Sequence, residues 1–562
     1  MAFNLHTSNR LDLLAGQLAA VMGEPLPSPL APEIIVVQSR GIERWLSLSI
    51  SRALGICANC RFPFPNQFFQ DTVRACLPGL PETGAFEREV LAWRVMELLP
   101  GIDGPGPASY LQGDTGLKLY QLACRTADLF DQYAIYRPDM LTAWEAGRLC
   151  HAGDTEELWQ ARLWRGLVSQ GRGVHRGRLL DDFLAALATS PVLASVLPGR
   201  VSVFGLAVLP PYHIRFFEAI AAHREVHLFL LNPCREYWGD ILTDKQAGRL
   251  VRRLGRAGAA DTQQTLHLSR GNSLLAAFGV YGREFYELLL GGRGCVEQEL
   301  FADGSGGSLL ACIQDDILNL RDRGAPGEPA MAVRGVDRSL QVHSCHSPMR
   351  EVEVLHNALL GFFERTPGLA PHDILVMTPD LETYGPFVQA VFGAPENEAC
   401  RIPFSMADRS FLEVYPLYEA VLRLLDISQS RFGAPQVLQL LALEAVQQRF
   451  GLTGGDVELI RGWINKTRIR WGKDADCRSR DGLPAFNDNT WQAGIERLLL
   501  GYALPGDGDL LCNGILPCGP GEGGPAQALG RFAHFMDALF SLSGRLQHEK
   551  TLSEWSQLLQ EM

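Results

Sequence analysis

Two stretches of this chain repeat one arrangement of apolar and polar positions. Phe3 to Thr7 reads as a short strand, Ser8 is placed to cap a helix, and Leu11, Leu14, Leu18 and Val21 then fall on one helical face. An apolar run at Ile34 to Val37 is the next strand. The later copy places a strand at Leu340 to His346, Ser347 at the cap and Pro348 in the first helical position. Val352, Leu355, Leu359 and Phe362 form its apolar stripe, and Ile374 to Met377 its second strand. A strand, a helix and an apolar strand in this order require a right-handed crossover and a parallel sheet covered on both faces. The pattern predicts two α/β cores.

Between and after these openings the period changes. Residues 85 to 190 read mainly helical, with Ala127 to Tyr133 and Leu158 to Val168 as clear pieces, and strands resume at Val201 to Phe204 and Val226 to Leu231. After Pro416 the pattern is helical again through Leu424, Leu438 and Leu441. Loops rich in Gly and Pro fall at Gly101 to Gly106, Gly304 to Ser339 and Leu504 to Pro525, the middle one being the joint between halves. The expected organisation is a first half over 1–330, with a sheet core at about 1–85 and 195–300 and a helical insertion at about 86–194. A second core over 331–430 and a helical block over 431–562 follow.

Sheets of this kind bind ligands beyond the carboxyl ends of their strands, so the first strand-to-helix turn is where nucleotide phosphates would lie. A phosphate loop there needs glycines for close backbone approach and a lysine, as GxxxxGK[ST]. The turns present are Thr7-Ser8-Asn9-Arg10 and Ser347-Pro348-Met349-Arg350, short and without glycine. Lysine occurs only at Lys118, Lys245, Lys466, Lys473 and Lys550; Lys473 alone follows a glycine, and Asp474 stands after it in place of Ser or Thr. No cofactor is expected in this chain.

Composition narrows the class. A length of 562 residues with 46% hydrophobic content supports several domains with substantial cores. No apolar run reaches membrane-spanning length and the first residues lack a leader pattern, which predicts a cytoplasmic protein without a membrane partner. Thirteen scattered cysteines suit a reducing compartment. The net charge of −12 argues against uniformly basic surface but not against a channel lined locally by arginine. Arginine far outnumbers lysine, for which coding bias is the plainer explanation. Arg162, Arg165, Arg172, Arg176 and Arg178, with Trp159, Trp164 and His175 among them, are either a stretch that tracks phosphates and stacks on bases or a solvated helix face. Arg249, Arg252, Arg253 and Arg256 read as a solvated face.

Motifs for metal or hydrolytic chemistry are weak. Cys57-Ala-Asn-Cys60 has no second ligand pair at suitable spacing, and buried thiols are the better reading. His343, Cys345 and His346 lie on a strand whose alternate side chains point to opposite faces, so they do not converge on a metal. Glu351 and Glu353 sit near a helix N-terminus, where carboxylates favour the dipole.

Along nearly its whole length the chain resembles the RecC family, the gamma subunits of exodeoxyribonuclease V. The resemblance rests on HTSNRLDLL, VVQSRGIERWL, RFPFPNQFF, ADLFDQYAIYRPDML, LPPYH, LLNPCREYWGDI, HSCHSPMREVEVLH, FVQAVFG, and IRWG followed by TWQAGIERLLLGYA. It implies an α/β fold of two superfamily 1, RecA-like parallel-sheet cores lacking phosphate loops, with inserted helical subdomains. It also implies a heterotrimer with RecB-like and RecD-like motor subunits, which use ATP and magnesium. Duplex ends and single-stranded DNA are the implied ligands: the family splits the duplex, guides each strand to a motor and scans the 3′-ended strand for the hotspot Chi.

Carried over position by position, the resemblance places Gln38, Ser39, Arg40 and Arg44, the FPxP segment around Phe64, Gln70, and Asp128, Leu129, Asp131 and Arg137 along the scanning channel, with Arg176 beside them. Arginine can read guanine or hold a phosphate, phenylalanine can stack on a base, and aspartate can accept from an exocyclic amine. Arg137, before Pro138, is also placed to tie Asp131 in a local ion pair, and Trp45 is expected in the core. The family carries uncharged polar residues where this chain has Arg40 and Arg44, and an aromatic where it has Gln70, which implies a different preferred octamer or altered scanning. The chain has about half the family's usual length, which implies a shortened second half without the C-terminal nuclease-like domain. Two other classes stay open: an active motor or nuclease of the related AddB type, which needs a true phosphate loop and C-terminal cluster-binding cysteines, and a scaffold that touches no DNA.

Overall fold

The structure is a computed structural model. It describes the chain except residues 1–2, 29, 78, 80–82, 103–104, 114–115, 152, 172, 191, 244, 246–270, 292–294, 305–306, 324–331, 333–334, 394–399, 408–415, 505–510 and 520–523. Arg172 and the run Arg249, Arg252, Arg253 and Arg256 thus lie outside the described residues. The chain divides into two compact units, Met1–Gln341 and Val342–Met562.

The first unit is built on six parallel strands: β1 (Phe3–Ser8), β2 (Glu33–Val36), β3 (Cys60–Arg61), β4 (Arg200–Phe204), β5 (Glu225–Leu231) and β6 (Cys295–Glu299). Their order across the sheet is β3-β2-β4-β5-β1-β6. The opening strands β1 and β2 therefore never touch. Two later strands, β5 and β4, lie between them, with Leu5 in register with Leu228 and Ile35 with Ser202.

Alternate residues of the central strands enter different cores, as the strand repeat demands. Phe3, Leu5, Ile34, Val36, Val201, Val203, Val226 and Leu228 face one core, against α3 (Pro65–Cys76), α9 (Arg176–Thr189) and α10 (Pro211–Ala221). Ile35, Val37, Phe204 and Phe229 face the other, against α1 (Leu11–Gly23) and α2 (Arg40–Leu54). Between β3 and β4 lie the helices α4 (Arg88–Leu98), α5 (Pro105–Tyr110), α6 (Leu117–Tyr136), α7 (Pro138–Glu145) and α8 (Thr155–Ser169), of which α4, α6, α7 and α8 contribute a separate core around Phe130, Trp144 and Trp164. Glu157 anchors that block. Its buried carboxylate accepts from Trp144 Nε1 at 2.8 Å and from the amides of Cys150 and His151 at 2.6 and 2.7 Å. Burial alone would raise its pKa, but these bonds hold it at about 2.

The second unit is helical in its described residues. Helices at Pro416–Ser428, Ala434–Leu441, Gly454–Thr467, Trp491–Ala503 and Gly524–Leu546 contribute to a core around Trp463, Trp491 and Phe532. A smaller core joins Pro348–Arg365 to Leu381–Gly393 through Val352, Leu359 and Phe392.

Here the expectation of a second sheet is corrected. Val342–His346 and Ile374–Met377 are not strands, and the only β contact among the unit's described residues is the isolated bridge between Cys512 and Ile515. The stripe of Val352 and Leu359 is buried as expected, yet the flanking segments have nothing to pair with. The chain is thus α/β with one parallel sheet among its described residues. Among the same residues, no helix is long and apolar enough to cross a membrane.

Candidate nucleic-acid interface

At the first turn of the sheet, Ser8 does not cap α1. The cap position is Arg10, and the Ser8 hydroxyl accepts from the Arg10 amide at 3.0 Å and donates to the Leu300 carbonyl at 2.7 Å. Asn9 completes the closure: its Nδ2 donates to Ala302 O at 2.9 Å and its Oδ1 accepts from Ala302 N at 3.0 Å. The chain following β6 thus ties down the Ser8 and Asn9 side chains of this turn and covers it.

The neighbouring turn, after β2, is open. The Val37 amide donates to Pro63 O at 3.1 Å, which brings Gln38 and Ser39 beside the Phe62–Phe64 segment at the carboxyl ends of β2 and β3. Ser39 caps α2 by accepting from Ile42 N at 3.3 Å, and Arg40 and Arg44 then lie four residues apart on one helical face. Both are exposed, and neither forms an ion pair or side-chain hydrogen bond among the described residues. The start of this 15-residue helix thus carries two exposed cations, Arg40 and Arg44, with one carboxylate, Glu43, between them, a net positive charge on an acidic protein. Phe64, the cap residue of α3, is 41% exposed. Trp45, expected in the core, is half-buried and lies 6.1 Å from Phe204.

Helix α3 links this turn to the helical block. Gln70 is six residues beyond Phe64, about 9 Å along the axis, and lines a small cleft with Phe69, Phe86, Glu87, Val174 and Arg176. The helix is fixed there by Phe68 and Phe69 in the core and by Asn66 Oδ1, which lies 3.1 Å from His213 Nε2. Burial, with the Arg176 charge second, lowers the His213 pKa to about 4, so that imidazole is neutral.

The acidic positions of α6 are already engaged. Asp131 pairs with Arg176 at 3.5 Å, each about a quarter exposed, and Asp128 pairs with Arg88 at 3.3 Å. Arg137 instead reaches Asp139 at 3.2 Å, so the anticipated Arg137–Asp131 pair is replaced by one between α9 and α6. Leu129 is half-buried. Arg88 went unnoticed in the sequence, since nothing in local spacing signals a partner so far along the chain. The structure therefore brings Gln38, Ser39, Arg40 and Arg44 together with Phe64, and Gln70 with Arg176 and Asp131. Asp128 and Arg137 have separate local partners.

The reading of the Trp and Arg stretch as a base-stacking platform is corrected. Trp159, Trp164 and His175 are 8%, 1% and 3% exposed, and Trp164 Nε1 donates to Glu145 at 3.1 Å. Their rings serve the core of the helical block and present no face to a ligand.

Comparison with known proteins agrees with this architecture. The profile of the RecC N-terminal domain matches residues 3–320, and that of the fourth domain of the RecBCD enzyme subunit RecC matches residues 414–562. The chain is 35% identical to the RecBCD enzyme subunit RecC of Escherichia coli over 99% of its own length and 53% of the relative's. It is 33% identical to that of Haemophilus influenzae, over 99% and 53%, and 32% identical to that of Mycobacterium tuberculosis, over 99% and 51%. The chain spans about half the length of the curated relatives it matches. With both its sheet unit and its helical unit matched, this chain belongs to the RecC family.

Proposed function

We propose that this chain is a non-catalytic DNA-binding subunit of an ATP-dependent helicase–nuclease that acts in double-strand break repair by homologous recombination. In this reading it assembles with RecB-like and RecD-like motors, which supply ATP and magnesium chemistry, and it guides separated strands and scans one of them for a Chi-like hotspot. The observation that carries the reading is the contrast between adjacent turns of one sheet. The turn where a nucleotide would bind is closed by Ser8 and Asn9, while the next displays Arg40, Arg44 and Phe64, the residue types that hold phosphates and stack on bases.

A single strand crossing the ends of β2 and β3 would meet Arg40 and Arg44 first, then Phe64, and then Gln70 and Arg176. Arg40 and Arg44 are available for phosphate or guanine because no carboxylate among the described residues forms an ion pair with them. Arg176 and Asp131 neutralise each other, so they would contribute shape and hydrogen bonding more than charge. The test is Arg40→Ala in the chain assembled with both motors. Altered hotspot response with unwinding intact is expected; an unchanged hotspot response contradicts the assignment of Arg40 to scanning.

A further inference from the structure

Cys57 and Cys60, expected as buried thiols, are instead half-buried in a loop open to solvent, with Ile56 67% exposed before them and Ala58 and Asn59 exposed between them. The Cys57 Sγ lies 3.6 Å from the Cys60 Sγ, and among the described residues no other two of the thirteen cysteines bring their sulfurs into contact. The loop is held in the shape that gives this approach. Asn59 has left-handed backbone (φ 56), donates from Nδ2 to Leu30 O and Ala31 O at 3.1 and 3.0 Å, and accepts at its own carbonyl from the Glu33 amide at 3.0 Å. No third His, Cys, Asp or Glu converges on the pair among the described residues, whereas a structural zinc site needs four ligands.

The pair lies at the least supported joint of the first sheet. It spans the loop from the end of α2 to β3, an edge strand of two residues held to β2 only at Glu33–Cys60 and Ile34–Arg61. So short an edge opens locally at little cost. A covalent S–S bond is about 2.05 Å long, so the sulfurs need to close by about 1.5 Å, a movement that side-chain rotation supplies. Such a bond would tie β3 to the loop before it.

We propose that Cys57 and Cys60 form a modification site, a reversible dithiol–disulfide pair that exchanges with small-molecule disulfides and, when oxidised, pins the edge strand β3. Burial, and then the Cys57 thiol beside it, push the Cys60 thiol up to about 12, so Cys60 rests protonated and attack begins at Cys57. The Cys57 thiolate attacks one sulfur of the small disulfide, breaks its S–S bond and releases one small thiolate. Consuming Cys57 removes the neighbour that holds the Cys60 proton. Cys60 then loses that proton to solvent and attacks the Cys57 sulfur, releasing the second small thiolate. Two protein thiols are oxidised, one small disulfide is reduced to two thiols, and the protons shed by the cysteines end on those thiols. The inference is independent of the DNA reading.

The test is to treat the full chain with oxidised glutathione, trap free thiols by alkylation and map the cysteine peptides by mass. The peptide joining Cys57 to Cys60 should lose two hydrogens at least about 10-fold faster than the exposed Cys150 takes up glutathione, and dithiothreitol should reverse it. Cys60→Ser removes the resolving thiol, so Cys57 should then hold glutathione as a lasting mixed disulfide. In the oxidised parent the Glu33 amide, bonded to Asn59 O, should exchange at least about 10-fold more slowly than in the reduced one. The same oxidant should leave that amide unchanged in Cys57→Ser/Cys60→Ser. A lasting mixed disulfide at Cys57 in the parent, oxidation of the pair no faster than Cys150, or a disulfide that leaves the Glu33 amide as fast as before would each overturn the proposal.

Discussion

At the first opening Leu5, Ile35 and Val36 are fully buried in a sheet whose faces are covered by helices; at the second, Val342 and Met377 stand 92% and 85% exposed beside helices that are themselves well packed. The local designs are nearly the same. Each has an apolar segment, a helix entry and an amphipathic helix, and Ser347 even caps its helix at 3.2 Å where Ser8 has been diverted to Leu300. What differs is that later strands fill the first sheet, whereas among the described residues no strand pairs with the second opening. Local sequence can thus write both helices and strands, while a parallel sheet exists only when distant segments arrive between them.

The largest expected effect separates the two copies by stability. Leu5→Ala, in a fully buried position, should cost about 3 kcal/mol in denaturant unfolding of the first unit. Val342→Ala, almost entirely exposed, should change stability by less than about 0.5 kcal/mol. Similar losses would mean that the second segment is buried in solution and the contrast false.

Closure of the first turn gives a second test. Asn9→Ala leaves the Ala302 amide and carbonyl without their partner and should cost about 2 kcal/mol. Ser347→Ala at the second opening removes an ordinary helix cap and should cost about 1 kcal/mol. If Asn9→Ala were neutral, that turn would be available to a ligand and the difference between the turns would disappear.

A smaller effect is acid sensitivity of the first sheet. His6 Nε2 lies 3.1 Å from His227 Nδ1 in the face packed on Phe229, and burial lowers both rings to about 4, with the neighbouring His227 acting second on His6 and Arg200 second on His227. Neutral rings in the folded state and an ordinary value near 6.5 in the unfolded state mean that the unfolded chain binds more protons between these limits. Their contribution is complete above about pH 6.5 and falls as pH drops toward 4, by on the order of 1 kcal/mol per ring after allowance for residual hydration. Urea titrations at pH 7 and pH 5 should show this loss in the parent and a smaller one in His6→Phe. Equal losses in the two proteins would place the acid sensitivity elsewhere.

Much of the first opening was legible because its apolar positions follow the strand and helix periods cleanly: Leu14 and Leu18 are buried in α1, and the run Val226 to Leu230 lies in a central strand. β6, with the sequence CVEQE, was invisible because an edge strand can remain polar, and β3 has only two residues. The second opening misled in the opposite direction. Ile374 to Met377 has strand composition, but composition does not say whether another strand lies beside it, and among the described residues none does. Trp159 and Trp164 were misread for a different reason: with Leu163 and Leu167 they share a buried helical stripe that the arginines between them obscured. At the candidate site, the exposure of Arg40 and Phe64 followed from their place after strands, whereas the Asp128–Arg88 and Asp131–Arg176 pairs join separate helices and left no local trace.

The central claim is that the open turn of the first sheet, and not the closed one, is where nucleic acid meets this chain. Its most direct test is the salt dependence of single-stranded DNA binding to the full chain, compared with the Arg40→Ala/Arg44→Ala double variant. Losing two phosphate contacts should reduce the slope of log affinity against log salt by about 1.4, with the variant's melting unchanged and ATP without effect on either protein. An identical slope in parent and variant, or displacement of the DNA by ATP, would contradict the account.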